Sequence, residues 1–377
     1  MLTEEQTELR DAFRRFAEKE ILPQAAAADE RAEYPWKSFE AYRDSGFVRV
    51  PFPVEHGGDG ADTVTYSMLI EEVARVCASS SLFVLISRLA MGAVLRAGSP
   101  ELQDRYVPRV ASGELQASYC LSEPDAGSDV AGMSTRAVRD GDDYVLRGTK
   151  AWITNAGISD LYVVFAKTDP SARHRGISAF VVEKGSPGLT IAPPEPKMGM
   201  RGSPTCEVLL EDVRVPAANL IGEEGQGFTY AMEALDSSRP LIGAQALGIA
   251  QGALDAAAEY VKERKQFGQR IADFQGIQFM LADMATQVEA ARLLVHDACA
   301  RYDAGDRGVS KVASMSKLFA SDTAMRVTTD AVQLFGGAGY TRHHAVERMM
   351  RDAKVTQIYE GTNQVQRIVI GRAVLES

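Results

Sequence analysis

Asp140-Gly141-Asp142 leads into Tyr144-Val145-Leu146. Three further runs follow: Leu161-Tyr162-Val163-Val164-Phe165, Ile177-Ser178-Ala179-Phe180-Val181-Val182 and Cys206-Glu207-Val208-Leu209-Leu210. All are short and rich in β-branched and aromatic residues, and Gly, Asp and Pro separate them, which is the composition of strands joined by turns. Asp-Gly before the first run is a hairpin signal. No helical pattern lies between the runs, so they predict an antiparallel sheet or small barrel in place of a βαβ nucleotide fold.

Outward from this stretch the pattern is helical on both sides. Toward the N-terminus, Thr3 and Gln6 have capping-box spacing, and Leu9, Phe13 and Phe16 share one helical face behind them. Helical patterns continue through Phe39–Phe47 and Tyr66–Arg96, interrupted by the turn-rich Pro51-Phe52-Pro53-Val54-Glu55-His56-Gly57-Gly58. Beyond Gly222-Glu223-Glu224-Gly225-Gln226-Gly227, the residues Leu281, Met284, Val288, Ala291 and Val295 recur at three- and four-residue steps, the stripe of a bundle helix. The expected architecture is multidomain α+β: a helical domain over residues 1–115, a β-domain over 116–222, and a helical bundle over 223–377. A chain of 377 residues exceeds one ordinary core and fits such a division.

Composition narrows the function. Hydrophobic residues make up 45% and charged residues 24%, the proportions of an ordered globular protein. A net charge of −10 disfavours nucleic acid, whose phosphates need a basic surface. Cys77, Cys120, Cys206 and Cys299 stand far apart and form no CxxC pair, which fits a reducing cytoplasm. His56, His174, His296, His343 and His344 lack metal-ligand spacing, so no metal is expected. The opening Met1-Leu2-Thr3-Glu4-Glu5-Gln6 has no basic or apolar leader, and no long apolar span is evident, so a membrane is not expected either.

Three segments carry more than pattern. The first is Tyr119-Cys120-Leu121-Ser122-Glu123-Pro124-Asp125-Ala126-Gly127-Ser128-Asp129, with Trp152-Ile153-Thr154-Asn155 after it. The second is Glu263-Arg264-Lys265-Gln266-Phe267-Gly268. The third runs from Gln333-Leu334-Phe335-Gly336-Gly337-Ala338-Gly339-Tyr340 through Arg351-Asp352-Ala353-Lys354 to Ile358-Tyr359-Glu360-Gly361-Thr362-Asn363-Gln364. In order and separation they closely resemble the acyl-CoA dehydrogenase family, over nearly the whole chain. The short- to medium-chain bacterial members are the nearest in wording. His343 and Ala345 depart from the acidic-aromatic-Pro run usual there.

The resemblance implies an enzyme that uses FAD to introduce a trans double bond between the α- and β-carbons of an acyl-CoA, with Glu360 as the base. Taken alone, a Glu before a helix is a favourable charge at the helix N-terminus; against apolar walls it becomes a stronger base. A second lineage carries its base at the position matching Ser238, which cannot serve. For FAD, the resemblance implies contacts from Tyr119, Leu121, Ser122, Gly127, Ser128, Trp152, Thr154, Gln275, Gln333, Gly337, Thr362 and Gln364. Arg264 and Phe267 would reach the flavin of a neighbouring subunit in a homo-oligomer. Ser128, Asp236, Arg239, Tyr359 and Gly361 are implied near the substrate; Arg239 reads equally well as a structural ion-pair partner. Gly336-Gly337-Ala338-Gly339 lacks the strand-turn-helix context of a Rossmann fingerprint.

Ser81-Leu82-Phe83-Val84-Leu85-Ile86 matches the acyl-pocket floor of the family. It is apolar, which suits an aliphatic tail and offers no hook for a terminal carboxylate. Electrons would leave to an electron-transfer flavoprotein. Two alternatives keep the fold: a dehydrogenase of acyl chains on a carrier protein, and an oxygen-using flavoenzyme.

Overall fold

The computed structural model describes residues 2–376. The chain begins with α1 (Glu4–Phe16), where Thr3 and Gln6 close the expected capping box: the Thr3 hydroxyl accepts from Gln6 N, and Thr3 N donates to the Gln6 side chain, both at 3.1 Å. A π-helical turn (Ala17–Ile21) leads to α2 (Leu22–Arg31), followed by α3 (Trp36–Asp44), α4 (Thr63–Val76), α5 (Ala78–Ala97) and α6 (Pro100–Ala111). The single helical run expected over Tyr66–Arg96 is two helices. Cys77 stands between them with an extended backbone (φ −153°), and the chain turns there.

The β-region comprises β1 (Ala117–Cys120), β2 (Arg136–Asp140), β3 (Asp143–Thr154), β4 (Leu161–Lys167), β5 (Ile177–Glu183), β6 (Leu189–Ile191), β7 (Thr205–Pro216) and β8 (Leu220–Ile221). They form one sheet in the order β6-β7-β3-β2-β4-β5-β8. β2 and β3 pair Asp140 with Asp143, so Gly141, at φ +64°, and Asp142 form the two-residue hairpin turn that Asp-Gly foretold. The sheet is not wholly antiparallel: β1 lies parallel to β4, pairing Ala117 with Leu161, and β2 meets β4 parallel at Arg136 and Lys167. β4 and β5 are apolar without alternation because both faces are covered. Leu161, Val163 and Phe165 join the large helical core, while Tyr162 and Val164 join a second core on the opposite face.

The C-terminal bundle holds α7 (Gly227–Glu263), α8 (Gln275–Asp303), α9 (Val309–Phe335), α10 (Ala345–Thr356) and α11 (Asn363–Leu375). A small hairpin, β9 (Lys265–Gln266) with β10 (Gln269–Arg270), joins α7 to α8. Of the predicted stripe on α8, Met284, Val288, Ala291 and Val295 are all within 1% of complete burial, and Leu281 packs partly buried against the same core. α4 lies directly against α7, because a Cβ on Gly248 would stand 2.2 Å from Glu71 O and one on Gly252 2.1 Å from Arg75 O. Contrary to the expectation of no long apolar span, α5 is long and apolar enough to cross a membrane; 83% of its most apolar window is buried inside the protein. Arg351 ties the three regions together, donating to Asp29 on α2 (2.6 Å), to Glu347 on α10 and to Met198 O in the loop between β6 and β7 (2.9 Å).

Candidate active site

A cavity of about 380 Å³ lies where β1, β3, α5, α7 and the loop before α11 meet. On its sheet side are Tyr119, Leu121, Ser122, Gly127 and Ser128, with Trp152 and Thr154 from the end of β3. On its helical side are Arg239, Tyr359, Glu360, Gly361 and Thr362, and Ile86 and Leu89 from α5 close it. Residues far apart in sequence thus share one enclosure.

The sheet side is shaped by a bulge. The register of β3 against β7 slips between Lys150 and Ile153, and Trp152 takes φ +62°, a left-handed conformation uncommon for an aromatic residue. The slip leaves the indole 62% exposed on the cavity wall, while Lys150 is fully buried beneath it. Lys150 Nζ donates to Glu123 Oε1 at 2.9 Å and to Leu121 O at 3.1 Å, holding the Ser122 loop against β3. Burial alone would raise the Glu123 carboxyl; Lys150, Ser134 and Thr135 outweigh it and hold it at about 2. The hydroxyls of Ser122 and Thr154 have no hydrogen-bond partner within the chain among the described residues. A broad exposed aromatic face flanked by two free hydroxyls fits a planar, polar-edged ring such as a flavin.

The helical side presents a carboxylate. Glu360 also has a positive φ (+56°), and Gly361 follows at +86°. That φ favours glycine at 361, and a Cβ there would also stand 2.6 Å from Gln366 Nε2. Gln366 donates to Glu360 O at 3.2 Å and to Gly361 O at 3.0 Å, and Lys317 Nζ donates to Gly361 O at 2.8 Å and to Asn363 Oδ1 at 2.9 Å. These donors hold a strained loop in one conformation.

Crowding by protein raises the Glu360 carboxyl above the ordinary carboxylate range; Ser238, Arg239 and Lys317 pull it partly back. Ser238 Oγ donates to Glu360 Oε2 at 2.7 Å, so the residue excluded as a base is a hydrogen-bond partner of Glu360. Burial drives Lys317 down to about 7 although Glu360 and Asp322 oppose the fall. Tyr359 donates its hydroxyl to Gln245 Oε1. Thr362 caps α11, its hydroxyl accepting from Val365 N at 3.3 Å.

Sequence reasoning missed Lys317, Gln366 and Asn363. Lys317 left one signal, a lone cation between small and apolar residues in Ala313-Ser314-Met315-Ser316-Lys317-Leu318-Phe319-Ala320. Asp236 is adjacent to the cavity without lining it. It is bonded to Arg239 and accepts from Ser310 Oγ at 3.0 Å, which gives Arg239 the structural partner that its second reading expected.

Arg264, Phe267, Gln275, Gln333, Gly337 and Gln364 lie outside the enclosure, all exposed on the surface. Phe267 is 93% exposed at φ +53°. Tyr260 stacks on Phe335 with ring centroids 4.0 Å apart, bringing the end of α7, which leads to Arg264 and Phe267, beside the end of α9, which carries Gln333.

Comparison with known proteins agrees with this geometry. The N-terminal, middle and C-terminal domain models of acyl-CoA dehydrogenase match residues 3–114, 118–213 and 225–375. A Mycobacterium tuberculosis protein named "Probable acyl-CoA dehydrogenase FadE25" is 56% identical over 99% of this chain and 96% of its own length. A cyclohex-1-ene-1-carbonyl-CoA dehydrogenase of Syntrophus aciditrophicus is 50% identical over 99% of this chain and 91% of its own. The butyryl-CoA dehydrogenase structure from Megasphaera elsdenii superposes with a TM-score of 0.96 at 41% identity, covering 100% of this chain and 99% of that one. With a carboxylate, an exposed indole and unpaired hydroxyls gathered in one cavity of this fold, the chain belongs to the acyl-CoA dehydrogenase family and is an enzyme of that class.

Proposed function

We propose that the enzyme converts a saturated acyl-CoA thioester to its trans-2-enoyl thioester, with Glu360 as the base, FAD as cofactor and an electron-transfer flavoprotein as electron acceptor. The observation that carries this reading is the placement of Glu360, with its raised pKa, in the same cavity as Trp152, Ser122 and Thr154. When bound, FAD supplies a hydride acceptor. Trp152 would pack on its ring, and Ser122 and Thr154 would bond its polar edge. Glu360 takes the proton from the α-carbon, and its crowded surroundings make the carboxylate a stronger base than it would be in water. Ile86, Leu89 and Leu235 exclude water from the reacting carbons. The α-proton is acidified where the thioester carbonyl meets backbone donors of the loop held by Lys317 and Gln366.

Anaerobic addition of butyryl-CoA to flavin-loaded protein is expected to bleach the flavin and yield crotonyl-CoA. Reoxidation should be slow in air and fast with an artificial dye. Rapid stoichiometric hydrogen peroxide would instead identify an oxygen-using enzyme, and bleaching only by a carrier-protein thioester would move the substrate to that carrier.

The surface set around Arg264 supports a homo-oligomer, a dimer or tetramer, in which one chain completes the flavin site of the next; light scattering of a fully active monomer would overturn this. Four free, buried cysteines fit action in the reducing cytoplasm.

A further inference from the structure

A second cavity, of about 430 Å³, lies behind the first, between α4, α5, α7 and the end of α8, roofed by residues 51–61. The two share Leu89 as a wall, and Ser238, which lines the second, is the residue bonded to Glu360. Its floor is apolar: Phe52, Leu85, Leu89 and Leu241 are each buried. Beside these apolar residues the fold places Arg88, and Thr63, Ser237, Ser238 and Asp303 also line the chamber.

Arg88 Nε donates to Pro51 O at 2.9 Å, and its guanidinium carbon stands 6.0 Å from the Phe52 ring centroid. It has no ion pair among the described residues. The acids at the same cavity do not serve it. Asp303 accepts from Thr63 N at 2.9 Å and from the Thr63 hydroxyl, and Glu55 is exposed at the roof. Burial lowers the Arg88 pKa, the mark of a cation that the surroundings do not compensate. Tyr66 lines the same chamber, is 3% exposed, and its hydroxyl has no hydrogen-bond partner. The Arg88 charge acts on that hydroxyl. A guanidinium with no ion pair and a buried phenol with no hydrogen-bond partner both cost stability. A bound anion removes both costs.

We propose that this chamber is the far end of the acyl site, and that Arg88 and Tyr66 bind a carboxylate at the distal end of the acyl group. The substrate class is then the mono-CoA thioesters of dicarboxylic acids. With Nε tied to Pro51, the two terminal nitrogens remain for one bidentate carboxylate, and the phenol supplies a third donor. Phe52, Leu85, Leu89 and Leu241 offer apolar surface to the methylenes between carboxylate and thioester. Ser81–Ile86 offers no such hook, as read from the sequence; it stands one helical step away, at Arg88.

This inference rests on the dehydrogenase reading above, and bleaching by butyryl-CoA in every variant checks that reading separately. The test compares kcat/KM, with a dye acceptor, for dicarboxylic mono-CoA thioesters and for unsubstituted acyl-CoAs of equal length. The wild-type enzyme is expected to favour the carboxylate-ended substrate by about tenfold or more at one chain length. Arg88→Met should lower that preference ~100-fold, through KM more than kcat, because a desolvated charge pair is lost. Tyr66→Phe, which removes only a hydroxyl, should lower it about tenfold and guards against misfolding of the first variant. Equal or better use of unsubstituted acyl-CoAs at every length would overturn the proposal. So would a preference that both substitutions leave unchanged. Glutarate that alters butyryl-CoA turnover in wild type but not in Arg88→Met would also overturn it, by assigning the chamber to a separate carboxylate molecule.

Discussion

Two buried lysines brace the two sides of the active-site cavity, and they do so differently. Lys150, under the sheet side, is matched by a carboxylate: Glu123 takes its charge at 2.9 Å and also accepts from Ser134 and Thr135. Lys317, under the helical side, donates to a carbonyl and an amide oxygen and has no ion-pair partner among the described residues. A closed ion pair sets geometry but exerts little field beyond itself. A cation bonded only to neutral acceptors keeps its field, and Lys317 both steadies the Glu360 loop and favours the ionised form of Glu360. The sheet side is thus built as a fixed wall, and the helical side as a wall whose charge acts on the chemistry.

The sharpest break separates the base from its supports. Glu360→Gln should retain flavin and bind acyl-CoA while turnover falls ~100-fold to 10,000-fold, the usual cost of losing a general base. Stopped-flow flavin reduction measures it, and a residual rate above about a tenth of wild type would move the base elsewhere.

Cutting the sheet-side pair tests rigidity. Lys150→Met strands the Glu123 charge and should cost about 3 to 5 kcal/mol of stability, read by denaturant unfolding. In the intact protein Glu123 sits at about 2, below its unfolded value of 4.5, so the folded state binds its proton less readily. Its contribution is present above pH 4.5 and is lost as pH falls toward 2.

Lys317→Met should behave otherwise. The folded pKa of about 7 lies below the unfolded 10.5, so between those values the unfolded chain binds more protons and stability rises with pH. Removing this lysine should abolish that rise and move the acid limb of kcat/KM for butyryl-CoA to higher pH. Turnover should fall about tenfold as the base loop loosens. An unmoved acid limb would reduce Lys317 to a structural brace. Ser238→Ala removes one neutral donor from Glu360. It should shift the same limb upward by less than about one pH unit, with stability changed by about 1 kcal/mol.

Much of the fold was legible because its signals are local. The capping box at Thr3, the Asp-Gly turn before β3 and the stripe on α8 each fix one element from a few neighbouring residues. The parallel pairing of β1 with β4 joins residues more than forty positions apart (Ala117 with Leu161) and leaves no local trace. The break at Cys77 is equally silent, since both flanks read as helix. In the site, Glu360, Trp152 and Ser122 were found by resemblance, and the cavity then gave them a common location. Lys317, Gln366 and Arg88 were not: Lys317 and Arg88 act through contacts with distant segments, Gln366 folds back on the loop before its own helix, and in sequence each is one more polar residue on a helix.

The burial of α5 has a consequence for how the protein is made. Ala78–Ala97 rests against α7, which begins only at Gly227, so translation must add about 130 residues before that partner exists. At about 5 to 20 residues per second, a segment apolar enough to enter a lipid bilayer waits roughly 6 to 26 seconds without its cover. During that interval the nascent chain is a ligand for chaperones and for the membrane-targeting machinery, and α3, α4, α6 and the early strands supply the native shelter it has.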